Sequence, residues 1–289
     1  MLTPNDSDWV MVTGIILETT VVFDLDIPSG ISQFGLFPEY NYAAYLNLIE
    51  SLHDKPVEIE KVGSSREMRD ILLLHVRSEN AGARDFFIQA RDHSYETAGS
   101  YCIEGILDFL LSEDPVCHYI RSKFSFHILP MSNPDGVYNG MSRLTWERGA
   151  NMNRVHTEAD KAHDALKKAI DSVKPFVHMN IHNWTIRSID GLLANDRCIA
   201  DRICSYMPDD AAHYKKWVIE TREDFCKSKN VPVVPVEDLS WKDYCYEHFG
   251  ARGVTFEFPW FTLNTAAMKR KGKQALIALA LSVIEEDRL

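Results

Sequence analysis

From residue 41 onward the chain alternates short apolar runs with longer stretches of helical periodicity, and this alternation restricts the fold more than any other feature. A helical pattern begins with Tyr42, Tyr45, Leu46 and Ile49. Val57–Val62 and Ile71–Arg77 then read as strands, and Asp85–Ala90 as a buried one. A helix predicted over Tyr95–Leu111 sets Tyr101, Ile106, Leu107, Leu110 and Leu111 on one apolar face. Strand Phe124–Met131, a helix over Glu158–Val173 and strand Phe176–His182 follow. Helices are predicted through 196–228, then strand Val231–Pro235, a short helix near Lys242–Phe249, strand Gly253–Phe258 and a terminal helix, Ala266–Glu286. Strands separated by helices imply an α/β fold, a central mixed and mostly parallel sheet with helices on both faces. In such sheets ligands bind beyond the carboxyl ends of the strands.

A chain of 289 residues, 45% of them hydrophobic, can bury one large core. No repeat or Pro/Gly-rich linker divides it, so 40–289 reads as one domain. Residues 1–39 read as a strand-rich extension packed on that domain, with strands expected in Val10–Phe23 and a turn at Pro28-Ser29-Gly30. The net charge of −11 and the lack of a long basic run argue against nucleic acid as a partner. No apolar stretch approaches the roughly 20 residues that span a bilayer. The start, MLTPNDSDWV, does not read as a signal peptide. Six cysteines without a CxxC pairing suggest free thiols and a soluble, cytoplasmic protein.

His93-Ser94-Tyr95-Glu96 falls between a predicted strand and a helix start, where a spacing of three lets His93 and Glu96 point the same way. Taken alone the word is weak: with eleven histidines, on the order of one HxxE arises by chance, and a helix-capping pair is the simpler explanation. Strand Phe176–His182 alternates His178, Asn180 and His182 on one face. At about 3.3 Å per residue, positions 178 and 182 lie roughly 13 Å apart, so both cannot hold one ion. His182, at the strand's carboxyl end, is the better ligand, and His178 reads as structural. Two imidazoles and one carboxylate would leave a fourth zinc position open, as in catalytic sites.

Glu257 stands inside the apolar segment Gly253-Val254-Thr255-Phe256-Glu257-Phe258-Pro259-Trp260. An uncompensated buried carboxylate costs several kcal/mol, about the penalty of any unpaired buried charge. Glu257 should therefore either pair with a cation such as Arg252 or have a raised pKa suited to a general base.

Taken together these words resemble the zinc carboxypeptidases, the funnelin-type metallocarboxypeptidase family, nearest to its cytosolic branch. The similarity runs through most of residues 40–289. It includes VGSSREMRDI at Val62–Ile71, HSYET at His93–Thr97, EGILDFLLS at Glu104–Ser112, PMSNPDGVYNGMSR at Pro130–Arg143, NMNR at Asn151–Arg154, the strand ending in His182, and TFEF at Thr255–Phe258. The resemblance implies one zinc per chain held by His93, Glu96 and His182, with Glu257 as the general base that activates the water on it. Arg143 matches the arginine that stabilises the oxyanion. Asn153 and Arg154 match the pair that anchors the terminal carboxylate of a peptide. Without the resemblance, both arginines would read as surface residues.

Some positions depart from the family pattern. Tyr95 stands where HxxE often carries arginine, and Asn151 where an aspartate precedes the anchoring asparagine. The mobile tyrosine of many members has no clear match; Tyr244 and Tyr246 are the nearest. The family's side-chain pocket position, counted back from Glu257 without gaps, falls at Lys242, which would favour an acidic terminal residue or else be a solvated helix-start lysine. The expectation is a zinc metallocarboxypeptidase acting on peptides with a free C-terminus. Its rivals are a zinc deacylase of small N-acyl amino acids, which would not need the NPDG…R…NR run, and a silent peptide-binding pseudo-enzyme.

Overall fold

The computed structural model describes residues 2–4, 9, 10, 12–27, 29–155, 160–184, 189–207, 218–221, 227, 239–260 and 263–286. Among these, twelve strands run in chain order: β1 (Leu2–Pro4), β2 (Ile15–Leu17), β3 (Thr20–Val22), β4 (Ser32–Phe34), β5 (Glu58–Ser64), β6 (Asp70–Val76), β7 (Arg84–Ala90), β8 (Phe124–Leu129), β9 (Val177–His182), β10 (Gly191–Ala194), β11 (Val218–Thr221) and β12 (Arg252–Glu257). The helices are α1 (Tyr42–Ser51), α2 (Ala98–Leu110), α3 (Pro115–Arg121), α4 (Pro134–Tyr138), α5 (Lys161–Val173), α6 (Arg197–Tyr206), α7 (Trp241–Phe249) and α8 (Thr265–Glu286).

Eight strands form the central sheet in the order β11-β10-β12-β9-β7-β8-β6-β5. Its middle, β12-β9-β7-β8, is parallel, and antiparallel pairings join β10 to β12, β6 to β8 and β5 to β6. Successive side chains of a strand face opposite sides, and the core divides accordingly. Phe86, Ile88, Phe126, Met179 and Phe256 lie in one apolar cluster with residues of α1, α2, α6 and α8. Ile71, Leu73, Phe87 and Leu129 lie in the other with residues of α5 and α7. Helices on both faces of a mixed sheet fulfil the expected fold class.

Helix α2 crosses α8 at a distance that only glycine allows. A Cβ at Gly105 would overlap the Lys269 carbonyl, and one at Gly272 would overlap that of Cys102. The two backbones therefore interlock reciprocally.

The extension contributes two small antiparallel pairs, β1 with β4 and β2 with β3, outside the central sheet. Helical structure through 196–228 is corrected: α6 ends at Tyr206, and 218–221 is a strand that extends β10. Val218-Ile219-Glu220-Thr221 is β-branched at three of four positions, which favours a pleated edge. The predicted strand Val231–Pro235 lies outside the described residues. No helix among the described residues is long and apolar enough to cross a membrane. Cys102, Cys117, Cys198, Cys204 and Cys245 are free thiols.

Candidate metal centre and cleft

Three parallel strands end at the same edge of the sheet. His93 follows β7 by three residues, His182 closes β9, and Glu257 closes β12 in register with His182. His93 Nδ1 lies 2.7 Å from Glu96 Oε1, and His182 Nδ1 lies 2.8 Å from Glu96 Oε2. The three ligand atoms all lie within 4.8 Å of one another, and the residues are 5%, 3% and 1% exposed. Burial works against the Glu96 anion, yet the facing imidazoles of His182 and His93 lower its pKa overall. Burial also works against a charged His182, but the Glu96 carboxylate raises it.

This donor set fits zinc. Imidazole nitrogen and carboxylate oxygen suit that ion, and both histidines turn the same ring nitrogen toward the shared carboxylate. The second ring nitrogen of His93 lies 3.1 Å from Asn151 Oδ1, so a neutral amide oxygen holds its tautomer. The other nitrogen of His182 has no hydrogen-bond partner, Asp92 Oδ2 standing 3.6 Å away.

The turn that carries His93 is fixed from behind by Arg91, a residue that sequence reasoning passed over. Arg91 has φ +63°, an uncommon backbone for a side-chain-bearing residue. Its buried guanidinium donates to the carbonyl oxygens of Tyr40 (3.1 Å) and Ser94 (2.6 Å) and to Ser100 Oγ (2.7 Å). Asp92, also buried, accepts from Gln89 Nε2, Ser132 Oγ and Asn180 Nδ2 at 2.7–3.0 Å. Two charged residues in sequence thus form a polar floor whose charged ends are hydrogen-bonded, with Arg91 Nε left without a partner.

Glu257 does not pair with Arg252, which bonds Glu286 instead. The enclosed end of β12 desolvates its carboxyl and pushes the pKa up to about 8, against the opposing influence of His182, Trp184 and Arg143. Trp184 reaches it because Gly191, the β10 partner of Glu257, has no side chain; a Cβ there would overlap the indole. Arg143 is exposed on the loop after α4, and its charge acts on both Glu257 and Tyr95. Tyr95 stacks over His93 with ring centroids 6.4 Å apart and planes 11° apart. Burial raises its phenol to about 12, Glu96 adds to the rise, and Arg143 opposes it.

Asn153 and Arg154 lie half-buried on the segment that carries Asn151. Asn153 Oδ1 accepts from Asn180 Nδ2 at 3.3 Å, and Arg154 Nη1 donates to the Asn153 carbonyl at 2.7 Å. Trp241 Nε1 fastens this segment by donating to the Met152 carbonyl at 2.6 Å. Lys242, the next residue of α7, is 5% exposed, so it is not a solvated helix-start lysine. Its Nζ donates to Asp243 Oδ1 at 2.6 Å. Asp243 also accepts from Ser240 and Asn195. His178 is fully buried against Gln89, and burial, aided by the Lys242 charge, drives its pKa down to about 3. It is a neutral structural residue.

Neither tyrosine candidate faces the metal centre. Tyr244 is buried, with its hydroxyl on Asp171 and Lys167 and its ring on His248. Tyr246 lines a cavity with Asn195, Gly250 and Arg252, at the opposite end of β12 from Glu257.

Residues 42–175 match the family described as zinc carboxypeptidase. Cytosolic carboxypeptidase 6 of Mus musculus is 34% identical over 140 residues, which are 46% of this chain and 26% of that protein. Cytosolic carboxypeptidase-like protein 5 of Danio rerio is 47% identical over 76 residues, 26% of this chain and 8% of that protein. The chain thus spans about a quarter or less of these relatives. A metallo-carboxypeptidase from Burkholderia cenocepacia superposes with a TM-score of 0.80 at 20% identity, over 98% of this chain and 80% of that one. One from Pseudomonas aeruginosa gives 0.77 at 18% identity, with the same coverage. At such identities the structures establish the fold.

Proposed function

From the match of residues 42–175 to the zinc carboxypeptidase family, we propose that the chain is a zinc metallocarboxypeptidase that hydrolyses the C-terminal amide bond of peptides. The observation that carries the reading is the convergence of His93, Glu96 and His182 beside Glu257, on neighbouring strand ends. Residues 40–289 form the catalytic unit in this reading, and 1–39 a strand-rich extension.

When bound by His93, Glu96 and His182, zinc supplies a Lewis acid that polarises the scissile carbonyl and lowers the pKa of water toward neutrality. Glu257 takes the proton of the attacking water and returns it to the leaving amine. Its place at the end of β12, in register with His182, suits both halves of that transfer, because a general acid–base must lie within reach of the proton it moves. Arg143 donates to the oxygen that becomes negative in the transition state; one preorganised donor of this kind is worth about 2.7–4 kcal/mol. Asn153 and Arg154 hold the terminal carboxylate, for which a planar guanidinium offers paired donors.

Preference for an acidic terminal residue is supported by Lys242, a buried ammonium at the start of α7. Its pairing with Asp243 limits the charge available to a substrate. The cytosolic naming of the relatives and the free thiols support a cytoplasmic location.

Metal analysis joined to a peptide screen tests the reading. About one zinc per chain and chelator-sensitive release of the terminal amino acid support it. A zinc-loaded chain that releases nothing from a broad peptide library is a binding module, and release of acyl groups from N-acyl amino acids marks a deacylase. Faster release of terminal Lys than Glu ends the acidic preference.

A further inference from the structure

His75 and His127 stand directly opposite each other on the antiparallel strands β6 and β8. Both are 4% exposed, their rings cross at 82°, and Nδ1 lies 2.7 Å from Nδ1. Carboxylates engage the outer nitrogens: His75 Nε2 lies 3.1 Å from Glu60 Oε2, and His127 Nε2 lies 2.8 Å from Asp85 Oδ1. An ionised carboxylate only accepts hydrogen bonds, so each Nε2 is the N–H donor. Both Nδ1 atoms then turn lone pairs toward each other, a repulsion that a shared proton or a cation relieves, although burial works against a charged His127. A single proton meets this need, donated by one ring to the other. The arrangement is also that of metal-binding histidines, whose far ring nitrogens are held by carboxylates.

Separation selects among ions. Two bonds of about 2.0–2.1 Å meeting near a right angle hold their nitrogens about 2.9 Å apart, a few tenths of an ångström beyond the gap here. A tetrahedral zinc would need about 3.3 Å, a wider opening of the sheet.

We propose that His75 and His127 form a second cation site, one that takes a tetragonal divalent ion such as Ni2+ or Cu2+ through the two Nδ1 atoms. On binding, the proton shared by the rings leaves and water completes the coordination. Glu60 and Asp85 have side chains 54% and 46% exposed, so the carboxylates on the outer nitrogens meet solvent while the two rings are themselves buried. Arg77, paired with Glu58 at 2.8 Å, is the neighbouring cation whose charge acts on His127. Asp85 is the second residue of β7 and His93 follows its last by three, so the site lies at the far end of the sheet from the cleft. Nothing in this inference depends on the proposed peptidase function.

Equilibrium dialysis of the full chain against Ni2+, with metal counted by mass spectrometry, tests it. The wild type should hold one ion more per chain than His127→Gln, and Cu2+ added to the zinc-loaded protein should give a tetragonal spin-resonance signal split by two imidazole nitrogens. Equal Ni2+ counts overturn the proposal and leave the pair as a shared-proton contact. Should His127→Gln fail to fold, the half-exposed Glu60→Gln decides. Ni2+ binding weakened about tenfold supports the site, as loss of an outer carboxylate does in other metal centres. Unchanged binding overturns it.

Discussion

The amide of Tyr95 donates to the carbonyl of Ser142 at 3.2 Å, so the turn that holds His93 and Glu96 also holds the loop that carries Arg143. Ser94 strengthens the same link, its hydroxyl lying 2.6 Å from the Met141 carbonyl and 3.0 Å from that of Ser142. Replacing Ser94 by alanine leaves both carbonyls without this donor. The expected cost is about 1 kcal/mol of stability, together with a fall in kcat from a loosened Arg143 loop and unchanged zinc content. Thermal melts, kinetics and metal analysis on one preparation separate the three.

Glu257→Gln keeps the shape of the residue and removes its proton chemistry. We expect kcat to fall by about 10²–10⁴, the usual contribution of a positioned general base, with zinc stoichiometry intact. Wild-type turnover in this variant would assign the base to another group.

Gly191 is a second way to reach Glu257. A methyl at this position displaces the Trp184 indole from its place beside the carboxylate. For Gly191→Ala we expect at least about a tenfold loss of kcat/KM, which corresponds to 1.36 kcal/mol in the barrier. Tryptophan fluorescence should shift with it, and an unchanged spectrum with full activity would show that the strand accommodates the methyl.

Metal removal should destabilise the fold as well as silence it, because an ion held by His93, Glu96 and His182 binds a site that only the folded chain assembles. A ligand present at 100 times its Kd adds about 2.7 kcal/mol to the folded state. Chelation should therefore lower Tm, and readdition of zinc should restore it.

Asp160 and His163 give a pH signature of their own. Burial disfavours both charges, but the 3.0 Å contact between them lowers the Asp160 pKa and raises that of His163. The raised histidine stabilises fully below its unfolded value of about 6.5, and that contribution is lost as pH climbs through its folded value. The depressed aspartate stabilises above about 3.9, and that contribution is lost as pH falls through its folded value. Stability should thus be greatest between these limits. His163 Nε2 also contacts the Asn151 carbonyl at 3.2 Å, so His163→Gln should flatten the alkaline limb and weaken the hold on the segment of Asn153 and Arg154. Chemical denaturation across pH measures this.

Strand-end positions made much of the site legible. His93, His182 and Glu257 could be set at one edge because alternating strands and helices imply a parallel sheet, and such sheets gather residues at their carboxyl ends. Arg91 and Asp92 gave no sign of their role, because adjacent charges read as surface. Their partners, Tyr40, Ser100, Ser132 and Asn180, come from distant parts of the chain. The burial of Lys242 was hidden for a similar reason, since it depends on Asp243 and the packing of α7 rather than on a local pattern. Strand β10 escaped notice because four residues set no period.

Because Gly105 and Gly272 each fill the space the other's helix leaves, neither position is free to drift alone. The first of these helices starts two residues after Glu96, so a methyl group added far out at position 272 would be felt by the carboxylate that joins the two imidazoles. Mutational tolerance along the final helix should therefore follow its contact with that crossing rather than its distance from the cleft.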